Sequence, residues 1–584
     1  MHHCLQVQEI LAVVAKHLQS LYTKLDQWQP AQLQAYSKDL DSSEVFESSW
    51  PSLEDLRRQR ATLVPFSLTC KYFHEVAAEI MWQTLYLEHL CLTVPRELTA
   101  EPTQAEQHRV LSLARHVQEL DTDCKVQHFS NLVESASVKP EGPIFPKLKH
   151  LYIRGTTDEV KYLPTLLGST NLQKVEIDAS LYTIQASFTG VTPHPELNSI
   201  VQTIAEYHPS LRQLLIQNYF WLLPPSFFGP VLPLDCKLIS LFTNLGTFST
   251  NLGLTRDMLV QLGSLPSLSK LQCQLVETNK EGARPYTALP DNLFPCLEMW
   301  RVVGDGLSPL LFEFLRTCKM TNLLGVELVL KAELVACLDS SSLHTLFTVL
   351  GMHISLQVVN LVTSQTKSEA FCGFAYLGTP DKDQLVTDEV IAPLYKCRNL
   401  RTLSLPPCPA ALNSTSLDEM SNAWPYLEML IIGTYWSGAI NNMTWDSLST
   451  SASRFSRLRV IGLNVIIPSQ NLRALTSPDF ATTTARCSSV KLVCLNCLSQ
   501  SKLPLPLSEM VGVISATFPG ATVTPLYPGC SIWYEDQPFW DKFRYCLDIL
   551  RLTKEQRRRF VYSVGQRRPS QVQELTSCLR ESTV

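Results

Sequence analysis

The residues with the clearest potential for chemistry are a pair of cysteines near the end of the chain. Cys494 and Cys497 have the C-x-x-C spacing of metal and redox sites, but no second pair of Cys or His residues lies nearby. His74 and Glu75 begin like a zinc-protease motif, but no second His follows at the spacing that a zinc site on a helix needs. Neither pair completes a metal site by itself.

An acidic run between residues 381 and 389 could suggest a cation site, but it lacks the glycine and the terminal glutamate of a calcium loop. The chain contains no G-x-x-x-x-G-K-[ST], no G-x-G-x-x-G, no H-E-x-x-H and no G-x-S-x-G. With only 22 glycines in 584 residues, few backbone positions allow a loop to approach a phosphate closely. We therefore predict that the protein is not an enzyme and has no catalytic residue, no cofactor and no metal.

The composition argues against several other classes of protein. The 49 Lys and Arg residues are balanced by 54 Asp and Glu residues, so the clustered basic surface that nucleic-acid binding requires is not expected. The chain has no apolar stretch of about 18 residues and no signal peptide at its N-terminus. Its 18 cysteines lie mostly inside apolar runs, as reduced and buried thiols do. We expect a cytoplasmic or nuclear protein that binds neither nucleic acid nor membrane.

One phrase recurs through most of the chain. An aromatic residue or Cys, often followed by Pro, precedes three apolar residues at the spacing L-x-x-L-x-L. Residues 145–153, 208–216 and 294–302 match one another over the whole phrase. The first apolar residue of each phrase is taken as the marker of a repeat. The markers are Val117, Leu148, Leu172, Leu211, Leu238, Leu268, Leu297, Leu323, Leu356, Leu400, Leu427, Leu458 and Val490.

These markers predict the architecture of the central part of the chain. Their twelve intervals average about 31 residues, which is a period typical of repeat proteins. Each marker begins a short apolar alternation typical of a strand, and most markers follow a helical pattern. We therefore predict an α/β fold in which parallel strands stack into a curved solenoid with helices outside, over residues 94–526.

This region resembles the leucine-rich repeat family. At the ninth position of the phrase that family often places Asn or Cys, and here only Cys408 matches. The resemblance therefore implies an irregular leucine-rich-repeat solenoid without a continuous Asn ladder at that position.

Residues 1–93 form a different, helical module with a polar insertion at about residues 20–60. Apolar residues recur at the helical period between residues 5 and 25, and a second helical block follows the insertion. The segments CLQVQEIL at residues 4–11, LTCKYF at 68–73 and IMWQTL at 80–85 resemble an F-box of the kind that precedes leucine-rich repeats in fungal proteins.

The resemblance implies a function and a set of partners. F-box proteins with leucine-rich repeats are substrate-recognition subunits of SCF-type cullin ubiquitin ligases, and their F-box binds a Skp-type adaptor that joins them to the cullin. Gln8 stands where the family usually has Pro. The residues that match family positions in the adaptor-binding module are Leu5, Ile10, Leu11, Val14, Leu68 and Trp82.

Two alternatives remain open at this point. The helical module could be a cap that only covers the open end of the solenoid, since terminal repeats need covering. The whole chain could then be an interaction scaffold that has no association with a ubiquitin ligase.

The repeat spacing also predicts where a protein target would bind. The apolar triplet points inward, so the third, fifth and seventh positions of the phrase face the concave side. These positions are charged in early repeats and apolar in late repeats. The apolar late positions could form a receptor surface for a protein target, or the aromatic and basic C-terminal extension, residues 527–584, could cover them. The predicted target-binding residues are His150, Tyr152, Arg154, Lys174, Glu176, Met429, Ile431 and Val460.

Overall fold

The computed structural model of the chain divides into two compact units. The first unit comprises Met1–Gly304 and Ser308–Leu323, and the second comprises Asp305–Leu307 and Leu324–Val584. The structure describes residues 63–64, 71–87, 103–122, 142–154, 163–183, 194–218, 231–276, 289–304, 307–331, 339–364, 385–405, 410–432, 448, 451–463, 490, 492–495, 518 and 521–525.

The described part of the first unit contains eight strands that pair in the order of the chain. Every ladder between neighbours is parallel. The strands are β1 (Thr84–Tyr86), β2 (Glu119–Asp121), β3 (His150–Ile153), β4 (Lys174–Asp178), β5 (Gln213–Gln217), β6 (Thr247–Leu254), β7 (Lys270–Leu275) and β8 (Met299–Gly304).

In the sequence, the first helix of the first unit precedes β1, the last helix follows β8, and the other helices lie between the strands. Because parallel crossovers are right-handed and each strand pairs with the next, the helices collect on one face of the strands. They are α1 (Lys71–Met81), α2 (Gln104–Ala114), α3 (Leu163–Leu166), α4 (Pro195–Tyr207), a 3-10 helix (Cys236–Leu241), α5 (Arg256–Gly263) and α6 (Pro309–Thr317).

The described part of the second unit repeats this arrangement with seven parallel strands in chain order. Its strands are β9 (Gly325–Lys331), β10 (Val358–Ser364), β11 (Thr402–Ser404), β12 (Met429–Ile432), β13 (Val460–Leu463), β14 (Leu492–Leu495) and β15 (Thr522–Pro525). Its helices are α7 (Ser340–Leu350), α8 (Asp388–Ile391), a 3-10 helix (Ala392–Lys396) and α9 (Ser414–Ala423). The α/β fold class and the parallel strands predicted from the repeat are confirmed.

Several helices begin directly after a residue whose side chain caps the first turn of the helix. The Thr255 side chain accepts a hydrogen bond from the Met258 amide at the start of α5. Ser308 caps α6, with Pro309 at its first helical position. Asn413 and Ser416 form a reciprocal capping box at the start of α9. Such caps satisfy amide groups that have no partner inside the helix, and they fix where each helix starts.

Twelve of the thirteen markers predict the start of a strand correctly, because a strand begins two residues after each of them. The exception is Leu238, which lies in the 3-10 helix that Asp235 caps by accepting from the Lys237 amide. The true marker is Leu245, which is fully buried and stands two residues before β6. It was missed because Phe248 and Thr250 replace the aliphatic residues of the triplet there.

One backbone pattern joins each repeat to the next. In eleven cases the carbonyl of the residue after the marker position accepts two hydrogen bonds, from the last amide before the next strand and from the first amide of that strand. The donor–acceptor distances are 2.6–3.2 Å. The accepting residues are Gln83, Gln118, Lys149, Gln173, Arg212, Gly246 and Ser269 in the first unit, and Leu324, Gln357, Arg401 and Glu428 in the second.

Asparagine stabilises the turns in a place that the predicted pattern did not include. The Asn171 amide group donates to the Pro146 carbonyl of the preceding repeat at 2.9 Å. Asn322 makes the same contact with Pro295 at 2.8 Å. Both residues stand immediately before a marker, so the side chains that tie one turn to the next lie before the strand rather than at the ninth position.

The core of the first unit contains a cluster of three large aromatic side chains. The ring centroids of Phe294, Trp300 and Phe314 lie 5.8–6.4 Å apart. Phe294 adopts a positive φ of 58°, a conformation that costs free energy for a bulky residue. A Cβ on Gly263 would lie 3.0 Å from the Phe294 ring and 3.1 Å from Leu293, so the glycine leaves room for the strained residue to pack.

The sheet begins inside the range 1–93 that the sequence assigned to the helical module. Trp82 occupies the marker position of β1, and the Gln83 carbonyl after it accepts from Gln118 and Glu119. Leu63 and Ile80 of α1 form a small buried cluster against which Val76 and Met81 pack. Among the described residues, no helix is long and apolar enough to cross a membrane.

Gly351 generates a prediction about the second unit. A Cβ at this position would lie 2.4 Å from the Pro393 carbonyl oxygen, which is backbone and can move only with the chain. We expect Gly351→Ala to lower the free energy of unfolding by about 1 to 3 kcal/mol through overpacking, measured by urea unfolding followed by circular dichroism.

Gly246→Ala is the matched control for this prediction. The nearest heavy atoms to a Cβ there are 3.7 Å away, an ordinary contact distance, so we expect no loss of stability. Equal unfolding midpoints for the two variants would contradict the packing argument.

Candidate functional site

The side of the strands that faces away from the helices carries the residues predicted for the concave face. We call it the helix-free face, and it is formed by the first, third and fifth residues of each strand. The intervening residues, such as Leu151, Val175 and Leu214, are buried against the helices. The strand register places Glu119, His150 and Lys174 side by side, so the predicted residues of β3 and β4 do come together.

The side chains of the first residues of β2 and β3 contact each other on this face. The His150 Nδ1 atom lies 3.2 Å from Glu119 Oε1, and the Thr84 hydroxyl of β1 donates to Glu119 Oε2 at 2.8 Å. The hydrogen bond from His150 is the main cause that lowers the pKa of the Glu119 carboxyl below its ordinary value, while burial opposes this shift. Glu119 is therefore a carboxylate at neutral pH and holds β1 and β3 together through side chains.

An ion pair joins the last residue of β2 to the first residue after β3. Arg154 Nη2 lies 3.3 Å from Asp121 Oδ2, and the Asp121 side chain is fully buried. The Arg154 guanidinium also lies 4.6 Å from the centre of the Tyr152 ring, within the range of a cation–π interaction. Burial raises the pKa of the Tyr152 phenol well above its ordinary value, so the hydroxyl stays protonated.

The backbone holds Arg154 in place at this pair. The Thr122 hydroxyl accepts a hydrogen bond from the Arg154 amide at 3.0 Å and donates to the Arg154 carbonyl at 2.8 Å. This reciprocal contact positions the first residue after β3 beside the first residue after β2. The Arg154 guanidinium, which is partly exposed, lies beside the buried Asp121 carboxylate.

Strand β4 completes the charged part of the face. Lys174 Nζ lies 3.2 Å from Glu176 Oε2, and the Asp178 carboxylate accepts from the Ser180 amide at 2.9 Å. The face of β2–β4 thus combines four carboxylates with two cations and one histidine. The paired groups are arranged across three strands, so a ligand would have to fit around existing ion pairs.

The predicted late residues lie on the corresponding face of the second unit. The register joins Met429 directly to Val460, and Ile431 lies on the same face of β12. Met429 is half-buried, whereas Ile431 and Val460 are only 7% and 5% exposed. These apolar side chains are therefore largely shielded from solvent. The C-terminal extension at residues 527–584, the segment predicted to cover them, lies outside the described residues.

Most of the predicted adaptor-binding residues also lie outside the described residues, namely Leu5, Ile10, Leu11, Val14 and Leu68. Trp82 is described and half-buried, and its amide donates to the Ala78 carbonyl at the end of α1. Trp82 therefore directly follows α1 and stands two residues before β1.

Sequence reasoning missed several residues that complete the site. Glu119 contacts His150, Asp121 contacts Arg154, and Thr84 contacts Glu119. The predicted residues of the face began only at His150 in β3. Applying the same spacing to the Val117 marker gives Glu119 and Asp121 directly, so the signal was present in the sequence. No such signal identified Thr84, because the marker position of β1 holds the aromatic residue Trp82, whereas the predicted markers are all Leu or Val.

Three buried thiols, those of Cys273, Cys318 and Cys397, are poorly suited to nucleophilic chemistry. Burial raises the pKa of Cys273 to about 12 and the pKa of both Cys318 and Cys397 to about 11. The thiolate, which is the reactive form, is therefore scarce at neutral pH at these three positions. Within the described ranges, no group of three or more His, Cys, Asp or Glu residues could hold a metal ion.

Comparison with known proteins adds little. No family model matches the chain, and no curated protein matches it. The chain is similar to the crystal structure of a protein from Bacteroides fragilis, a structural-genomics target, with 13% sequence identity and a TM-score of 0.23. That alignment covers 49% of this chain and 75% of the other, and a TM-score this low supports no argument about fold or function.

The pair between Arg154 and Asp121 gives a prediction about stability. Arg154→Met removes the guanidinium beside a fully buried carboxylate. We expect the free energy of unfolding to fall by about 2 to 4 kcal/mol, measured by urea unfolding, because a buried charge without its partner is costly.

Lys147→Met tests the same chemical change on the surface. The Lys147–Glu79 pair has a similar geometry, with Nζ and Oε1 2.8 Å apart, but both side chains are about half exposed. Exposed pairs contribute at most about 1 kcal/mol, so this variant should be nearly as stable as the wild type. Equal losses in both variants would rule out burial as the reason for the effect.

Proposed function

We propose that the protein is a non-catalytic substrate receptor in which an F-box-like helical module binds a Skp-type adaptor and a leucine-rich-repeat arc binds a protein target. The adaptor would join the receptor to a cullin ubiquitin ligase. The receptor's contribution is proximity, since it raises the effective concentration of the target near an enzyme that supplies the chemistry.

The observation that carries this proposal is the helix-free face. Strands that pair in chain order leave one side without helices, and in the first unit that side carries the Glu119–His150 contact and the Asp121–Arg154 ion pair. Polar groups held at fixed spacing recognise a partner by complementary charge, which contributes specificity. We propose that this face selects the target through the residues His150, Tyr152, Arg154, Lys174 and Glu176.

The junction at Trp82 supports the receptor proposal over a module on a flexible tether. The last residue of α1 is Met81, and β1 begins at Thr84. Leu63 is buried against Ile80, so the segment before α1 also packs on it. A helical module joined this directly to the first repeat would hold an adaptor at a fixed position relative to the target-binding face.

A scaffold that binds proteins without a ligase is the second candidate. The ion-paired face of β2–β4 supports it equally well, because that face does not depend on the residues predicted to bind the adaptor. The two candidates differ only in whether the N-terminal module binds a Skp-type adaptor.

Co-elution with a recombinant Skp-type adaptor tests the proposal. We expect the full chain to co-elute with the adaptor on size-exclusion chromatography, and we expect Ile10→Asp and Leu11→Asp to abolish this, since each places a charge in an apolar interface. Gln19→Asp adds the same charge to the same predicted helix outside its apolar stripe, and it should retain binding.

Circular dichroism of each sample separates loss of binding from loss of folding. If the wild-type chain is folded and does not co-elute with the adaptor, the ubiquitin-ligase proposal should be abandoned in favour of the scaffold.

A further inference from the structure

The turns that precede β10–β13 form one edge of the second unit. Alongside small polar residues and Pro425, these turns expose several large apolar residues and cations. We call this surface the basic edge, and its residues are Met352, Ile354, Lys396, Arg398, Arg401, Tyr426, Arg454, Arg457 and Arg459.

The equivalent turns of the first unit show what such a turn needs for its own stability. The position immediately before the marker holds Asn or Ser in five of the eight turns after β1 there, and His116, Lys147 or Cys296 in the other three. Asn171 ties its turn to the preceding repeat. In the basic edge the same position holds Ser355 and Asn399 in two turns, and Tyr426 and Arg457 in the other two. The marker amides still close their turns, with Leu427 donating to the Trp424 carbonyl at 3.2 Å. These larger residues are therefore not required by the turn.

The apolar side chains of the basic edge are strongly exposed. Met352 is 60% exposed and Ile354 is 69% exposed, although both lie in one short turn between α7 and β10. His353, between them, is buried and its carbonyl accepts from the Leu356 amide. The turn thus anchors itself through His353 while it presents Met352 and Ile354 to solvent.

The charge of the basic edge is only partly neutralised. Glu428 lies 3.6 Å from Arg401 and 4.0 Å from Arg459, and Asp418 lies 2.8 Å from Arg454. Six cations against these two carboxylates leave a local charge of +4. Among the residues that the structure describes, Lys396, Arg398 and Arg457 form no ion pair.

We propose that the basic edge binds an acidic protein segment that carries at least one large apolar side chain. Unpaired guanidinium groups bind carboxylates in a bidentate manner, and exposed Ile and Met side chains gain free energy only by burial against another apolar group. Four adjacent turns span about 14 Å, which matches roughly four to six residues of extended chain. The proposal holds for a ligase receptor and for a scaffold alike.

Two features favour a protein segment over other anionic partners. Aliphatic side chains such as Met352 and Ile354 add nothing to contacts with a phosphate backbone, which are electrostatic. The Tyr426 ring is covered by the Arg457 guanidinium, 4.9 Å from its centre, so this ring is not free to insert into a lipid surface.

Fluorescence anisotropy with the full chain tests the proposal. The probe is a labelled 14-residue peptide with six Glu, two Leu and otherwise Ser and Gly, and a second peptide has Ser in place of both Leu. At 150 mM salt, we expect the Leu-containing peptide to bind the wild type, and we expect the double variant Arg398→Glu/Arg457→Glu to weaken this binding at least tenfold. Ile354→Ser should weaken it about threefold and should not affect the peptide that lacks Leu.

Arg212→Glu is the matched control, because it reverses an exposed charge on an equivalent turn of the first unit. It should change the affinity less than twofold, and circular dichroism should be unchanged in all variants. Equal binding of both peptides, or binding that resists the double variant, would overturn the proposal.

Vesicles with 30% phosphatidylserine and a 15-nucleotide RNA separate the other partner classes. If either binds the wild type and not the double variant, while the Leu-containing peptide does not bind, the assignment to a protein segment is wrong. Absence of binding by all probes would overturn it as well.

Discussion

Each repeat is attached to the next by one carbonyl that accepts two amide hydrogen bonds. The accepting carbonyl lies just before a strand, and the contact occurs seven times in the first unit and four times in the second, with donor–acceptor distances of 2.6–3.2 Å. An unpaired amide is costly when it is buried, so the chain cannot shift by one residue without losing both bonds and exposing the apolar triplet. The register of all the side chains on the helix-free face follows from this constraint.

That register explains why the charges of the first unit pair across strands. Neighbouring parallel strands lie about 4.8 Å apart, so the residue at a given position meets its equivalent in the next repeat. Glu119 thus meets His150, and Arg154 reaches back to Asp121. Because Asp121 is fully buried, the network cannot rearrange freely, and the face keeps a fixed pattern of charge.

The sequence predicted the repeated strands well because their signal is local. A buried triplet at fixed spacing leaves a mark in any single repeat, and twelve markers predicted strand starts correctly. Leu238 failed because its 3-10 helix is also apolar, whereas the true strand at β6 uses Phe248 and Thr250 in the triplet. The contribution of Asn171 and Asn322 was missed because their partners, the Pro146 and Pro295 carbonyls, belong to other repeats and only the folded chain brings them near.

The candidate sites differ in how much of their charge is already neutralised, and this difference limits what each can recognise. On β2–β4 the carboxylates Glu119, Asp121 and Glu176 each have a cation or His150 within 3.3 Å, so a ligand gains little from charge alone. Recognition there must come from shape and from the spacing of polar groups, which favours specificity over affinity. Lys396, Arg398 and Arg457 have no such neutralisation among the described residues, so long-range attraction of an acidic partner is strongest at their edge. The sequence distinguishes the two surfaces poorly because composition counts charges, whereas binding depends on which charges are already paired.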